Sequence, residues 1–313
     1  MRYFALAVVL AVIGASHAST AEPASFSPAA LAQRKAGGHM EHVISVFPLG
    51  GKEFDISIPL ITRWFAYGSS GTSAYATALK EMRPKIFTPE RGIYKIQLQP
   101  ARVDAIPGLD AFYSIGRFAV SQSEDFIVFG GAKGSYPAGS CGVYRVDLPA
   151  GNIRAILETS DCRAGSPWRV LDVSPKGTEA LILADRSLAL LDLSQGSIVK
   201  LEGQLSKGSF SPDDKWIAAL QVRNPDPPKT VIIDRTDLAK RRDLGSASNN
   251  ETVWSPDSKF LLQTVYRPAC PSQCPLALET VDVQTGNHSI IKDSICYCGS
   301  DGQIGWIRSG AKR

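Results

Sequence analysis

The residues with the most chemical potential are six cysteines: Cys141, Cys162, Cys270, Cys274, Cys296 and Cys298. Cys270-x-x-x-Cys274 with Cys296-x-Cys298 supplies four thiols in two close pairs, the ligand count of a structural zinc site. The spacing is irregular for zinc, and the chain begins like an exported protein, so disulfides are the expected chemistry. His39, His42 and His288 form no close-spaced ligand pair and no His-Glu-x-x-His motif, and are expected at the surface. There is no Gly-x-Ser-x-Gly elbow, no phosphate-cradling Gly-rich motif and no EF-hand loop. A metal held by side chains from separate strands leaves no local motif. Asn249, Asn250 and Glu251 are the best candidates for such a site, with polar loop residues bonded to water as the plainer reading.

These residues are positioned by a repeat. Ser209-Phe-Ser-Pro-Asp-Asp-Lys-Trp216 returns as Val253-Trp-Ser-Pro-Asp-Ser-Lys-Phe260, and more loosely as Asp172-Val-Ser-Pro-Lys-Gly-Thr-Glu179. Proline presets φ for a type I turn, and Ser and Asp side chains bond to nearby amides. Apolar or alternating runs follow each turn, so each one opens a strand. Ser174 to Ser211 is 37 residues and Ser211 to Ser255 is 44. Spacings near 40 with four strand-like runs apiece are the signature of propeller blades.

The fold class is therefore all-β, a β-propeller. Val43–Pro48 and Glu53–Ile58 read as outer strands c and d, and five fuller units follow, each with strands a to d. Gln303–Arg308 then looks like another inner strand a. Pairing this strand with the N-terminal hairpin closes a six-bladed ring on a shared last blade and removes two sheet edges. Strand b of that blade is unassigned, with Ser25–Lys35 a weak candidate. The expected divisions are a signal peptide over 1–18, a linker or arm over 19–41, the propeller over 42–308 and a tail over 309–313.

The Ser-Pro-Asp turn resembles the repeat of TolB-type propellers, a WD-like class of bacterial envelope proteins, over about residues 42 to 308. The resemblance is to the family and not to TolB itself, which carries an extra domain ahead of its propeller. It implies the fold strongly and the function weakly. Propeller-bearing peptidases place their chemistry in a separate α/β-hydrolase domain, for which this chain has no room.

Arg2, the apolar run Phe4–Ile13 and the small residues of Ser16-His17-Ala18 read as a secretory signal, with Ala21 a second cleavage position. The apolar run is short for a bilayer span, and no other run is long enough. A formal net charge of +4 is too mild to suggest nucleic acid. The expected location is periplasmic or secreted. The expected function is non-enzymatic binding of a protein or cell-envelope component, with no cofactor. The alternative is a lactonase-like, metal-dependent hydrolase using calcium or zinc in the central channel.

In this strand order the Ser-Pro-Asp turns share one face with the c–d turns, and the b–c and d–a connections share the other. The longer loops belong to the second face, so binding is expected there, through Tyr136, Arg223, Lys229 and Arg267. Trp64, Trp254 and Trp306 lie near inner-strand ends, where packing between blades is expected ahead of channel lining. The c–d hairpins also predict disulfides. Cys141 lies ten residues before the turn residue Gly151 and Cys162 eleven after it, while Cys274 lies twelve before Gly286 and Cys296 ten after it. Antiparallel pairing then gives Cys141–Cys162 and Cys274–Cys296, with Cys270–Cys298 as an outer clasp. Cys270–Cys296 with Cys274–Cys298 is the alternative.

Overall fold

The computed structural model describes residues 25–36, 39–48, 52–58, 61–79, 92–98, 100–134, 139–160, 162, 168–222, 228–246, 252–266, 275–296 and 304–309. The expected signal peptide lies outside these residues. The chain opens with β1 (Ser25–Ala36), β2 (His39–Val46) and β3 (Phe54–Ile58). The first full blade is β4 (Ile61–Tyr67), β5 (Ser73–Leu79), β6 (Ile93–Leu98) and β7 (Ala101–Ala105). The second is β8 (Phe112–Val120), β9 (Phe126–Lys133), β10 (Ser140–Asp147) and β11 (Asn152–Thr159). The third is β12 (Trp168–Val173), β13 (Glu179–Ala184), β14 (Ser187–Asp192) and β15 (Ile198–Lys200). The fourth is β16 (Leu205–Phe210), β17 (Trp216–Gln221), β18 (Lys229–Asp234) and β19 (Arg241–Ser246). The fifth is β20 (Thr252–Trp254), β21 (Phe260–Tyr266), β22 (Pro275–Asp282) and β23 (His288–Cys296), and β24 (Ile304–Ser309) follows. Six four-stranded antiparallel sheets form a six-bladed β-propeller. Among the described residues the helical structure is one 3₁₀ turn, Leu109–Ala111, and no helix is long and apolar enough to cross a membrane.

The shared blade runs β24-β1-β2-β3. The stretch expected as a linker thus supplies a strand. β1 is the missing strand b, and β2 begins at His39 rather than His42. The C-terminal strand therefore pairs with β1, Phe26 opposite Arg308 and Ala30 opposite Ile304, and not with the β2–β3 hairpin. Ser309, expected in the tail, is the last residue of β24.

The repeated turn works as its residues predict. Each first serine is buried: Ser121, Ser174, Ser211 and Ser255. Its carbonyl accepts the amide three residues on, as in Ser211 O with Asp214 N at 2.9 Å. Its hydroxyl accepts the amide that opens strand b, at 2.9 Å from Trp216 N and 2.9 Å from Phe260 N. A buried donor left unpaired there would cost about 1–3 kcal/mol, which explains why a small hydroxyl residue recurs.

The core is six seams rather than one centre. Alternate residues of a strand face opposite neighbours, so Ala180 and Ile182 pack against the second blade while Leu181 packs against the fourth. The shared blade completes the last two seams, with Ile304 and Trp306 facing the fifth blade and Ile307 the first.

Cys141 and Cys162 form a disulfide, as the hairpin register predicts. Cys296 ends β23 opposite Pro275 in the backbone register. Cys270, Cys274 and Cys298 lie outside the described residues.

His288, expected at the surface, is exposed there as the first residue of β23, and it also joins two blades. Its Nε2 donates to the Leu244 carbonyl at 2.8 Å, and its Nδ1 meets Glu279 Oε1 at 2.9 Å. A carbonyl accepts only, so Nε2 carries a proton, and a carboxylate opposite Nδ1 favours the imidazolium. Glu279 is buried and also accepts from Gln263 Nε2 at 2.6 Å, while Gln263 Oε1 accepts from Thr230 Oγ1 at 2.7 Å. Burial works to lower the His288 pKa, but the bonds to Glu279 and Leu244 outweigh it, and the net shift is upward. A raised folded pKa gives stability that is full below the unfolded value of about 6.5 and is lost as pH rises through the folded value. His288→Gln should therefore flatten the loss of melting temperature between mildly acidic and alkaline pH. Parallel slopes for the variant and the wild type would remove this network from the account.

Candidate functional site

The inner strands of all six blades enclose an axial cavity of about 260 Å³. It is lined on the Ser-Pro-Asp side by Pro175, Pro212, Pro256, Ser69 and Gln122. Below this rim come Tyr67, Val120, Val173, Phe210, Trp254 and Trp306. Trp254 and Trp306 thus line the channel and also pack in seams, so both sequence readings hold for them. Trp64 packs in the seam between the first two blades.

The rim is fixed by bonds between neighbouring turns. Ser69 Oγ donates to the Gln122 carbonyl. Glu124 Oε1 accepts from Ser70 N at 3.0 Å, and Oε2 accepts from Ser73 Oγ at 2.6 Å and Tyr75 OH at 2.9 Å. Burial raises the Glu124 pKa, but these hydrogen bonds outweigh it and hold the carboxyl below the ordinary range. Lys176 Nζ meets Asp214 Oδ2 at 3.0 Å, Asp213 N donates to Ser258 Oγ at 3.0 Å, and Arg308 N donates to Gly71 O at 2.9 Å. Deeper in the channel, Ser209 Oγ donates to Thr252 O at 3.0 Å and Trp254 Nε1 to Ser209 O at 3.1 Å. Such a mouth needs little ordering when something binds.

Among the described residues three charged ones line the channel, from consecutive blades: Arg117 on β8, Asp172 on β12 and Lys207 on β16. Asp172 Oδ1 accepts from Val173 N at 2.8 Å and Oδ2 from Phe210 N at 2.7 Å. The second bond ties β12 to the unpaired inner edge of β16. Asp172 is partly buried and lines the channel. Burial raises its pKa to about 7, against the lowering effect of the two amides and of Arg117. Lys207 sits at φ 45°, where the pairing of β16 with β17 shifts register between Ser206 and Gly208.

None of these three residues stood out as a functional residue in the sequence. The signal was present in the repeat. Two residues before the turn, the blades carry Ala66, Ala119, Asp172, Ser209 and Val253, so one carboxylate falls among small or apolar residues. Of the residues expected on the long-loop face, Lys229 pairs with Asp243 at 2.9 Å. Tyr136, Arg223 and Arg267 lie outside the described residues, as do Asn249, Asn250 and Glu251. Among the described residues no group of three His, Cys, Asp or Glu converges on a common point. The described lining holds one carboxylate, with both oxygens bonded to backbone, and no imidazole or thiol to act with it.

No family model matches the sequence, and no curated protein matches it either. Solved structures do match. TolB from Acinetobacter baumannii aligns with a TM-score of 0.63 at 16% identity, over 89% of this chain and 65% of that one. The protein thus spans slightly under two thirds of that TolB. A putative TolB from Agrobacterium tumefaciens aligns with a TM-score of 0.60 at 12% identity, over 92% of this chain and 100% of that one. An oligogalacturonate lyase from Vibrio parahaemolyticus aligns with a TM-score of 0.55 at 7% identity, over 81% and 73%. The fold is that of the TolB-type six-bladed propellers, a scaffold that also carries a lyase.

Proposed function

We propose that this is a non-enzymatic binding propeller of the periplasm or the extracellular space. It takes a protein or envelope component at the channel mouth on the Ser-Pro-Asp face. The observation that carries the reading is the channel itself: a preformed, mostly apolar mouth, rimmed by prolines, with a few polar groups at depth. Among the described lining residues Asp172 has no second carboxylate and no imidazole or thiol beside it, which supports binding over hydrolysis. The disulfide and the leader-like N-terminus support export. The TolB likeness supports a protein partner by analogy of fold.

The test is capture of a partner from envelope extract by immobilised protein. Pro212→Trp and Pro256→Trp place a large ring over the mouth and should abolish capture without lowering the melting temperature by more than a few degrees. Capture that survives them but fails when Tyr136, Arg223, Lys229 and Arg267 are replaced would move the site to the long-loop face. No capture, together with calcium, zinc or manganese retained stoichiometrically through dialysis, would replace this reading with a metal-dependent enzyme.

A further inference from the structure

We infer that the channel is a carboxylate-binding site, in which Arg117 and Lys207 receive an anionic group that a partner inserts through the proline-rimmed mouth. The inference deepens the binding function proposed above and rests on it for the partner, but its own test uses small probes.

Arg117 lies four residues before the turn residue Ser121, and Lys207 four before Ser211. The two cations therefore hold the same repeat position in the second and fourth blades, on either side of the blade that carries Asp172, and all three residues line the channel. Among the described lining residues the cations outnumber the carboxylate. Asp172 gives both oxygens to the amides of Val173 and Phe210. Arg117 and Lys207 already have contacts within the protein, so an incoming carboxylate adds to these contacts or exchanges with them.

The backbone of Lys207 carries the second observation. A long unbranched residue at φ 45° is strained, whereas glycine adopts that conformation freely. Gly208 follows immediately, yet the left-handed conformation falls on the lysine. A bulge re-aims the side chain at its centre, and strain of this kind gathers at binding sites. Tyr67, Phe210 and Trp254 lie between these charges and the mouth. Apolar walls lower the local dielectric and strengthen a charge-assisted bond made there. The cavity, at about 260 Å³, admits a side group or a polypeptide terminus and not a folded domain.

A carboxylate reaches such a site from the C-terminus of a polypeptide or from an acidic residue within one, and three probes separate the two. These are acetyl-Gly-Gly-Ala with a free C-terminus, its C-terminal amide, and acetyl-aspartate amide, each titrated by ligand-observed NMR. Binding of the first alone assigns a C-terminus, and binding of the third alone assigns an acidic residue. Either result supports the site, whereas binding of the neutral amide as tightly as the acids overturns it. Lys207→Met and Arg117→Met keep the apolar stems and should each weaken acid binding tenfold or more. Lys207→Gly should weaken it equally while the melting temperature holds or rises, which a purely structural lysine would not give.

Lowering the pH from 8 to 6 neutralises Asp172, the carboxyl on β12 that feels the charge of Arg117 on β8 and shares the channel lining with Lys207 on β16, and should tighten the probes. Asp172→Asn should remove that dependence. Unchanged affinity in Lys207→Met overturns the inference even if envelope capture succeeds. Probe binding without envelope capture would keep the site and discard the protein partner.

Discussion

Removing β24 is expected to cost the protein its cooperative fold. The strand contributes Ile304 and Trp306 to the seam with the fifth blade and Ile307 to the seam with the first. Full burial of one large apolar side chain is worth about 1.5–3 kcal/mol. Losing three of them, with two seams opened, comes to on the order of 5 kcal/mol or more, comparable to the whole stability of a typical domain at about 5–15 kcal/mol. The deletion also leaves β1 as a bare edge and removes the bond from Arg308 N to Gly71 O. Truncation before Ile304 should give a broad, low melting transition by circular dichroism. A synthetic peptide spanning 304–313 should restore the transition when added in excess. A truncated protein that melts within a few degrees of the full-length one would show that the ring does not depend on its shared blade.

The second large effect is expected at the Cys141–Cys162 bond. The two residues are 21 apart in sequence, and a loop of that size constrains the unfolded state by roughly 3 kcal/mol. Both cysteines are buried beside Ala132, so replacing them with Ala avoids leaving a hydroxyl in an apolar pocket. The doubly substituted protein should unfold at lower denaturant, with a steeper slope because its unfolded chain is less compact, and melt about 5–10 °C earlier. Identical midpoints would assign the bond no role in stability. Comparing variants is preferable to adding reductant, which acts on every disulfide at once.

The blades were legible because turn chemistry and strand alternation agreed. Ser, Pro and Asp recur where one hydroxyl must satisfy a turn, and the runs after them are apolar on both faces because both faces are seams. β1 was not legible. Ser25–Ala36 is rich in Ala, carries Pro28 and lacks β-branched residues, so local preference argues against a strand. It is extended because β24 and β2 flank it, and Pro28 still gives its carbonyl to Phe47 N at 2.8 Å. The bonds of His288 were missed for a related reason. Its partners are Glu279, across a hairpin, and Leu244, on another blade, and nothing adjacent in sequence announces either one. The channel charges were visible only by comparing blades position by position, since each one alone looks like an ordinary charged residue in a strand.

The shared blade also has a consequence for biosynthesis. β1 and β2 are made before the five full blades, and β24 after them. All five of those blades must leave the ribosome before the inner partner of β1 exists. Domains with early local contacts begin to fold during synthesis, but here closure waits until β24 has been made. Until then the blades can only stack as an open arc, with the inner edge of β1 unpaired at one end. Synthesis through β24 thus becomes a condition for the closed state, and a product that stops before it lacks the piece that would hide the edge of β1.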